Sequence, residues 1–201
     1  MALRLNEDFT PDKPEDGDEI RRWAQALAKG PGAQKRKAVA RLIELNAEEA
    51  LLDCLSSADP LVVELATKAL WECWLNEEGP QGRREMERGI SRMESADLEG
   101  ALAQFQKLAE KYPRWAEVYN KQATVFYLLG NPRMSIRMAT LTVEIKPKHF
   151  GAWNGLAICS AQLEKWKEAL EAARKALSIQ PSAQGNLDLI QLAKAKLAEE
   201  G

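Results

Sequence analysis

Three prolines divide the second half of this 201-residue chain at equal intervals. Pro113, Pro147 and Pro181 lie 34 residues apart. A proline ends a helix because it lacks the backbone N–H and its ring collides with the preceding turn. A fixed interval of about 20–50 residues is typical of a chain built from one repeated unit. The spacing therefore predicts paired helices that stack side by side.

Other positions recur in the same register. Two rows of small residues repeat at this interval, where helices must approach closely: Gly89, Ala123 and Ala157 in one row, and Ala101, Ser135 and Ala169 in the other. Bulky Tyr119 and Trp153 are also equivalent. The predicted units are residues 82–115, 116–149 and 150–183, and residues 184–201 are a capping helix. Gly130 is expected to reverse the chain between the helices of the second unit, Asn131 to cap its second helix, and Pro132 to occupy that helix's first turn.

The composition agrees with an all-helical soluble protein. Hydrophobic residues make up 45% and charged residues 29% of the chain, with much alanine and leucine and few alternating β-branched runs. No stretch approaches the roughly 18 apolar residues of a membrane span, and no secretion signal is recognisable. We expect no membrane insertion.

Residues 82–183 resemble the tetratricopeptide repeat family. The third unit carries Trp153, Leu156, Ala157, Trp166 and Pro181 at the family's positions, whereas Glu85, Arg88 and Arg92 of the first unit replace residues that are usually apolar. The resemblance implies an all-α, right-handed α-solenoid of antiparallel hairpins whose first helices line a concave groove for a protein partner.

The N-terminal third follows a different pattern. Residues 1–17 are acidic and poor in apolar residues, which predicts a disordered tail. Residues 18–76 contain amphipathic helical stripes, and their Asp59-Pro60-x-Val62 turn resembles a HEAT or armadillo hairpin. We expect this segment to stack on the repeats, with residues 77–81 as the joint.

The sequence carries no recognisable catalytic, metal or cofactor motif. The single histidine, His149, has no neighbouring ligand or paired carboxylate in the sequence and is expected on the surface. Cys54, Cys73 and Cys159 show no CxxC spacing and are expected to pack as free thiols. We therefore expect a non-enzymatic protein in a reducing compartment, either the cytoplasm or the soluble interior of an organelle, with no cofactor and no metal.

The resemblance places the partner site on the inner face of the first helix of each hairpin. An amide offers both a donor and an acceptor, so Asn120 and Asn154, one period apart, could hold the backbone of an extended segment. The full set of expected groove residues is Asn120, Thr124, Tyr127, Leu128, Asn154, Ile158, Gln162, Met86, Ile90 and Met93.

An alternative site is the basic outer face around Arg133 and Arg137, which suits an acidic protein. RNA is a weaker interpretation of the same patch because no exposed aromatic residues accompany the arginines for base stacking. Binding to the carboxylate tail of a chaperone is not expected, since only Lys121 could hold an anion at the positions that match the family's clamp. The sequence thus predicts an adaptor or assembly factor whose partner is another protein.

Overall fold

The computed structural model describes residues 14–199, and this part of the chain contains helices and turns but no strand. The predicted all-helical fold is therefore confirmed. The predicted tail lies outside the described residues up to position 13, whereas residues 14–17 form the start of the first helix. The helices are α1 Pro14–Lys29, α2 Gly32–Glu44, α3 Glu48–Cys54, α4 Pro60–Leu75, α5 Gly79–Glu94, α6 Leu98–Lys111, α7 Ala116–Leu128, α8 Pro132–Ile145, α9 Phe150–Gln162, α10 Trp166–Ile179 and α11 Gln184–Glu199.

The helices from α5 onward form three antiparallel hairpins, α5–α6, α7–α8 and α9–α10, followed by α11. Each helix packs on the next, and the first helices of neighbouring hairpins also touch, α5 on α7, α7 on α9 and α9 on α11. Tyr119 Oη donates to the carbonyl of Pro113 at 3.1 Å, and Trp153 Nε1 donates to the carbonyl of Pro147 at 2.8 Å. Equivalent residues thus make equivalent contacts in consecutive hairpins, as a stacked array requires.

The turn inside each hairpin repeats a backbone conformation. Gly130 has φ of +69°, and the residues 34 positions away on either side, Ala96 and Glu164, also have positive φ, +62° and +56°. Asn131 caps α8 by accepting a hydrogen bond from the Met134 N–H at 3.1 Å, as predicted. In each hairpin a left-handed residue thus precedes the N-cap of the second helix, and this N-cap accepts a backbone N–H with its side chain in α6 and α8 but not in α10.

The predicted row of small residues allows close helix packing. A Cβ on Gly89 would lie 2.4 Å from the Phe105 ring, so only glycine fits at this crossing of α5 and α6. Ala101, Ser135 and Ala169 of the second row are all buried.

Helices α1–α4 form a separate layer, which we call the N-terminal block. Asp59 caps α4 and Pro60 begins it, as the sequence predicts. The buried Lys35 ammonium donates to the carbonyls of Leu27 and Ala28, both at 3.0 Å, and so caps the last turn of α1. The resemblance of this block to HEAT repeats remains a prediction.

The N-terminal block lies along one edge of the hairpin array. This edge consists of the inter-hairpin turns, residues 112–115, 146–149 and 180–183. Phe150 and Ile179 of the hairpins belong to the same apolar core as Leu51 and Trp74 of the block. The block therefore flanks several hairpins at once, whereas the sequence predicts only that it stacks on the repeats.

Candidate partner-binding groove

A cavity of about 200 Å³ opens between α7, α8 and α9. Its walls include five of the residues predicted from the repeat register, on the first helices of two consecutive hairpins: Asn120, Thr124, Tyr127, Asn154 and Ile158. Gly151 and Gly155 of α9 complete the wall opposite α7. Tyr127 and Ile158 are 41% and 36% exposed, so apolar surface is available at the rim.

The other predicted groove residues lie elsewhere. Leu128 is exposed at the end of α7 and Gln162 is exposed at the end of α9, and neither lines the cavity. Met86 is wrong as a contact residue, because it is completely buried in the core between α5, α6 and α7. Ile90 and Met93 pack against the same core and are only partly accessible. The first hairpin uses these side chains for internal packing.

Asn120 and Asn154 occupy equivalent positions in consecutive repeats but differ in their hydrogen bonds. Asn120 is 8% exposed, and its Nδ2 donates to both carboxylate oxygens of Glu117, at 3.3 and 3.2 Å. Asn154 makes no side-chain hydrogen bond within the described part of the chain, because the position equivalent to Glu117 is Gly151. The amide nitrogen of Asn120 is therefore directed at Glu117 and its carbonyl oxygen remains without a partner, whereas both amide groups of Asn154 are without one.

His149 is not a surface residue, contrary to the expectation from sequence. Its side chain is completely buried, stacked on Trp74 with ring centres 4.1 Å apart. Its Nδ1 accepts a hydrogen bond from the Ala152 N–H at 3.0 Å and thereby caps α9. The proton of the neutral ring consequently lies on Nε2, which donates to Glu117 at 2.9 Å. The partners of His149 come from other helices, which the local sequence did not reveal.

Glu117 is the centre of this buried network. Burial by itself raises the pKa of its carboxyl group, but the charge of Lys121 and the hydrogen bond from His149 outweigh it, and the pKa lies below its ordinary value. Lys121 Nζ lies 2.9 Å from Glu117 Oε1. The single lysine that could have held an anion is thus already paired inside the protein.

Trp71 of α4 closes one end of the groove. A Cβ on Gly151 would lie 2.4 Å from Trp71 Cη2, and Lys121 Nζ lies 5.5 Å from the centre of a Trp71 ring. The N-terminal block therefore covers the groove where α7 and α9 begin. The opposite end, near the turns inside the hairpins, carries the exposed Tyr127 and Leu128.

The alternative basic face is solvent-exposed. Arg133 and Arg137 lie on the exposed side of α8, and neither forms an ion pair within the described part of the chain. Two free guanidinium groups one helical turn apart can attract an acidic surface.

Among residues 14–199 there is no group of three or more potential metal ligands, and no helix there is long and apolar enough to cross a membrane. The three cysteines are free thiols. Burial raises the pKa of Cys159, which lines the cavity, so its thiol is neutral at physiological pH.

Comparison with known proteins confirms the predicted resemblance. The tetratricopeptide repeat family model matches residues 150–183, the third hairpin. A TPR repeat-containing protein of Rhizobium etli is 30% identical over 86 residues, which are 43% of this chain and 42% of that protein. The chain therefore matches less than half the length of this relative.

Solved structures share the fold. The first TPR of Spaghetti, bound to an HSP90 peptide, has a TM-score of 0.55 at 16% identity, over 57% of this chain and 90% of that one. The TPR2AB domain of yeast Sti1 in complex with an HSP90 peptide has a TM-score of 0.54 at 19% identity, over 90% of this chain and 74% of that one. At such low identity the likeness concerns the arrangement of the helices.

Proposed function

We propose that this chain is a non-catalytic interaction scaffold that binds a segment of another protein in the groove across α7 and α9. The observation that carries the proposal is the convergence of Asn120, Asn154, Tyr127 and Ile158, from two consecutive hairpins, on one open cavity. The Spaghetti and Sti1 structures, each with a bound peptide, support the use of this architecture for peptide binding.

The polar groups of the groove suit an extended segment. Asn154 and the hydroxyl group of Tyr127 have no hydrogen-bond partner in the described chain, and the Oδ1 of Asn120 accepts none. A peptide backbone offers both donors and acceptors and can satisfy all three. Trp71 blocks the end where the two helices begin, so the segment enters from the end near Tyr127 and Leu128.

Gly155 provides a sharp test, because a Cβ at this position would meet no atom within 4 Å. Gly155→Trp should fill the cavity and weaken partner binding at least about tenfold, since the segment would have to displace the new ring. Proteins recovered with the unaltered chain from its native source would be identified, and their affinities measured by calorimetry.

Gly185→Trp is the matched control. Gly185 is a helical glycine in α11 whose Cβ would also meet no atom within 4 Å, and it does not line the cavity. This variant should bind like the unaltered chain, with both variants keeping full helicity by circular dichroism. Unchanged binding by Gly155→Trp would contradict the proposed groove. The double substitution of Asn120 and Asn154 by alanine should also weaken binding, without lowering helicity.

A second candidate function places an acidic protein on the basic face of α8, because Arg133 and Arg137 are exposed and lack internal partners. The dependence of binding on ionic strength distinguishes the two candidate functions. Binding through these arginines should weaken steeply between low and physiological ionic strength, whereas binding in an uncharged groove should change little.

A further inference from the structure

The size of the cavity limits what can fill it. An apolar cavity of about 150 Å³ accommodates benzene, and the cavity between α7 and α9 measures about 200 Å³. Ile158 and Tyr127 supply apolar walls, and at Gly155 nothing projects into the space. The cavity therefore has room for a side chain larger than a single six-membered ring.

The electrostatics of the cavity select an uncharged occupant. None of the described residues that line it is acidic or basic. The adjacent Glu117 and Lys121 pair with each other at 2.9 Å. A charged side chain that left water for this site would find no counter-ion, and its desolvation would be uncompensated.

Asn120, which lines the cavity, presents an unpaired acceptor. Both contacts of the Asn120 amide nitrogen go to Glu117, so the carbonyl Oδ1 is the amide atom that remains without a partner. Asn120 is 8% exposed, and its Oδ1 is not among the buried polar atoms without a partner in the described chain, so this acceptor is accessible from the cavity. An occupant that brings one N–H group would satisfy it.

From these observations we infer that the cavity binds a tryptophan side chain of the partner segment. Tryptophan combines a two-ring apolar body with a single N–H donor and no acceptor. Its ring lies against Ile158 and Tyr127, and its N–H donates to Asn120 Oδ1. The inference rests on the proposed groove function and specifies the chemistry of its anchor.

The probe for this site is N-acetyl-L-tryptophanamide, added to the isotope-labelled full chain and followed by NMR. We expect a dissociation constant of about a millimolar for so small a ligand, with shifts at the side-chain amides of Asn120 and Asn154. The analogue with a 1-methylindole ring cannot donate the hydrogen bond and should bind about fivefold more weakly.

Three variants locate the interaction. Gly155→Trp should abolish binding of both probes. Asn120→Ala should make the two probes bind equally, whereas Asn154→Ala, at the same register position on the next hairpin, should retain the preference. Equal binding of the two probes by the unaltered chain, or binding that survives Gly155→Trp, would overturn the assignment.

The outcome is separable from that of the proposed function. A natural partner that is lost with Gly155→Trp, but whose affinity does not depend on any tryptophan of its own, would leave the groove function intact and refute the tryptophan anchor. Conversely, probe binding without any groove-dependent partner would refute the proposed function and support the anchor site.

Discussion

Glu117 is completely buried, yet three side chains direct N–H groups at its carboxylate. His149 Nε2 and Lys121 Nζ each lie 2.9 Å from one of its oxygens, and Asn120 Nδ2 lies 3.2 Å from the nearer one. A buried charge is tolerated only when such partners replace its hydration. The same contacts fix the orientation of Asn120, so the polarity of the cavity depends on a residue that does not line it.

Glu117→Gln should destabilise the folded chain by about 3 kcal/mol at pH 7, because Lys121 loses its internal partner. The pKa of Glu117 is lowered by folding. Its ionised form therefore stabilises the fold above the unfolded-state pKa of about 4.3, and this contribution disappears as the pH falls through the lowered folded pKa. Urea unfolding at pH 7, 5 and 3.5 would measure the free energy of unfolding of the unaltered chain and of Glu117→Gln. The difference between the two values should be smallest at the lowest pH.

Glu144→Gln is the control for this prediction, since Glu144 is exposed on α8. This substitution should change the free energy of unfolding by no more than about 0.5 kcal/mol at pH 7. A deficit of Glu117→Gln that remained constant from pH 7 to pH 3.5 would show that the ionised carboxylate contributes nothing, and that the loss is one of packing.

Helix α9 contains two glycines, one turn apart, in opposite surroundings. At Gly151 an added Cβ would lie 2.4 Å from the Trp71 ring, whereas at Gly155 it would meet no atom within 4 Å. Glycine costs a helix interior about 0.5–1 kcal/mol relative to alanine. The absence of a side chain at Gly151 allows Trp71 of the N-terminal block to pack against α9, and its absence at Gly155 leaves the cavity open.

Alanine substitution at the two positions should therefore have opposite effects on stability. Gly155→Ala should raise the free energy of unfolding by about 0.5–1 kcal/mol, through helix propensity. Gly151→Ala should lower it by about 1–3 kcal/mol, because Trp71 has to move. Thermal and urea unfolding of the pair would measure this, and stabilisation by both substitutions would contradict the docking of Trp71 on α9.

The hairpins could be predicted from the sequence because their determinants are local and periodic. Pro132, Asn131 and Gly130 identify a turn by their residue types, and the structure has that turn. Ala96 and Glu164 adopt the same left-handed conformation without a residue type that favours it. In all three turns the N–H of the following residue donates to the carbonyl five residues earlier, which ends the first helix in the same way. The register likewise placed Asn120 and Asn154 at one cavity but could not distinguish them, since the difference comes from Glu117 and its distant partners.

At the scale of the molecule, the N-terminal block joins hairpins that would otherwise touch only their neighbours. Trp115 donates to the carbonyl of Trp74 at 2.7 Å, Lys146 pairs with Glu48 at 2.8 Å, and Gln180 donates to Thr67 at 3.0 Å, so every inter-hairpin turn contacts the block. The members of these pairs are 41, 98 and 113 residues apart. No local pattern encodes such pairings, which is why the sequence predicts that the block stacks on the repeats but does not predict along which edge.

A repeat array without such a layer loses structure hairpin by hairpin, because its stability is approximately the sum of the stability of each hairpin and of its contacts with the adjacent hairpins. Here the block should couple the hairpins, and Trp71→Ala is the substitution that tests it. Amide hydrogens in α4 should exchange faster in this variant than in the unaltered chain. Those in the first turns of α7 and α9 should also exchange faster, since Trp71 packs against Gly151 and Lys121. Trp166→Ala, at the start of α10 on the opposite edge, should speed exchange in α9 and α10 but leave α4 unchanged. If Trp71→Ala altered exchange only within α1–α4, the block would be an independent layer, and the closed end of the groove would not depend on it.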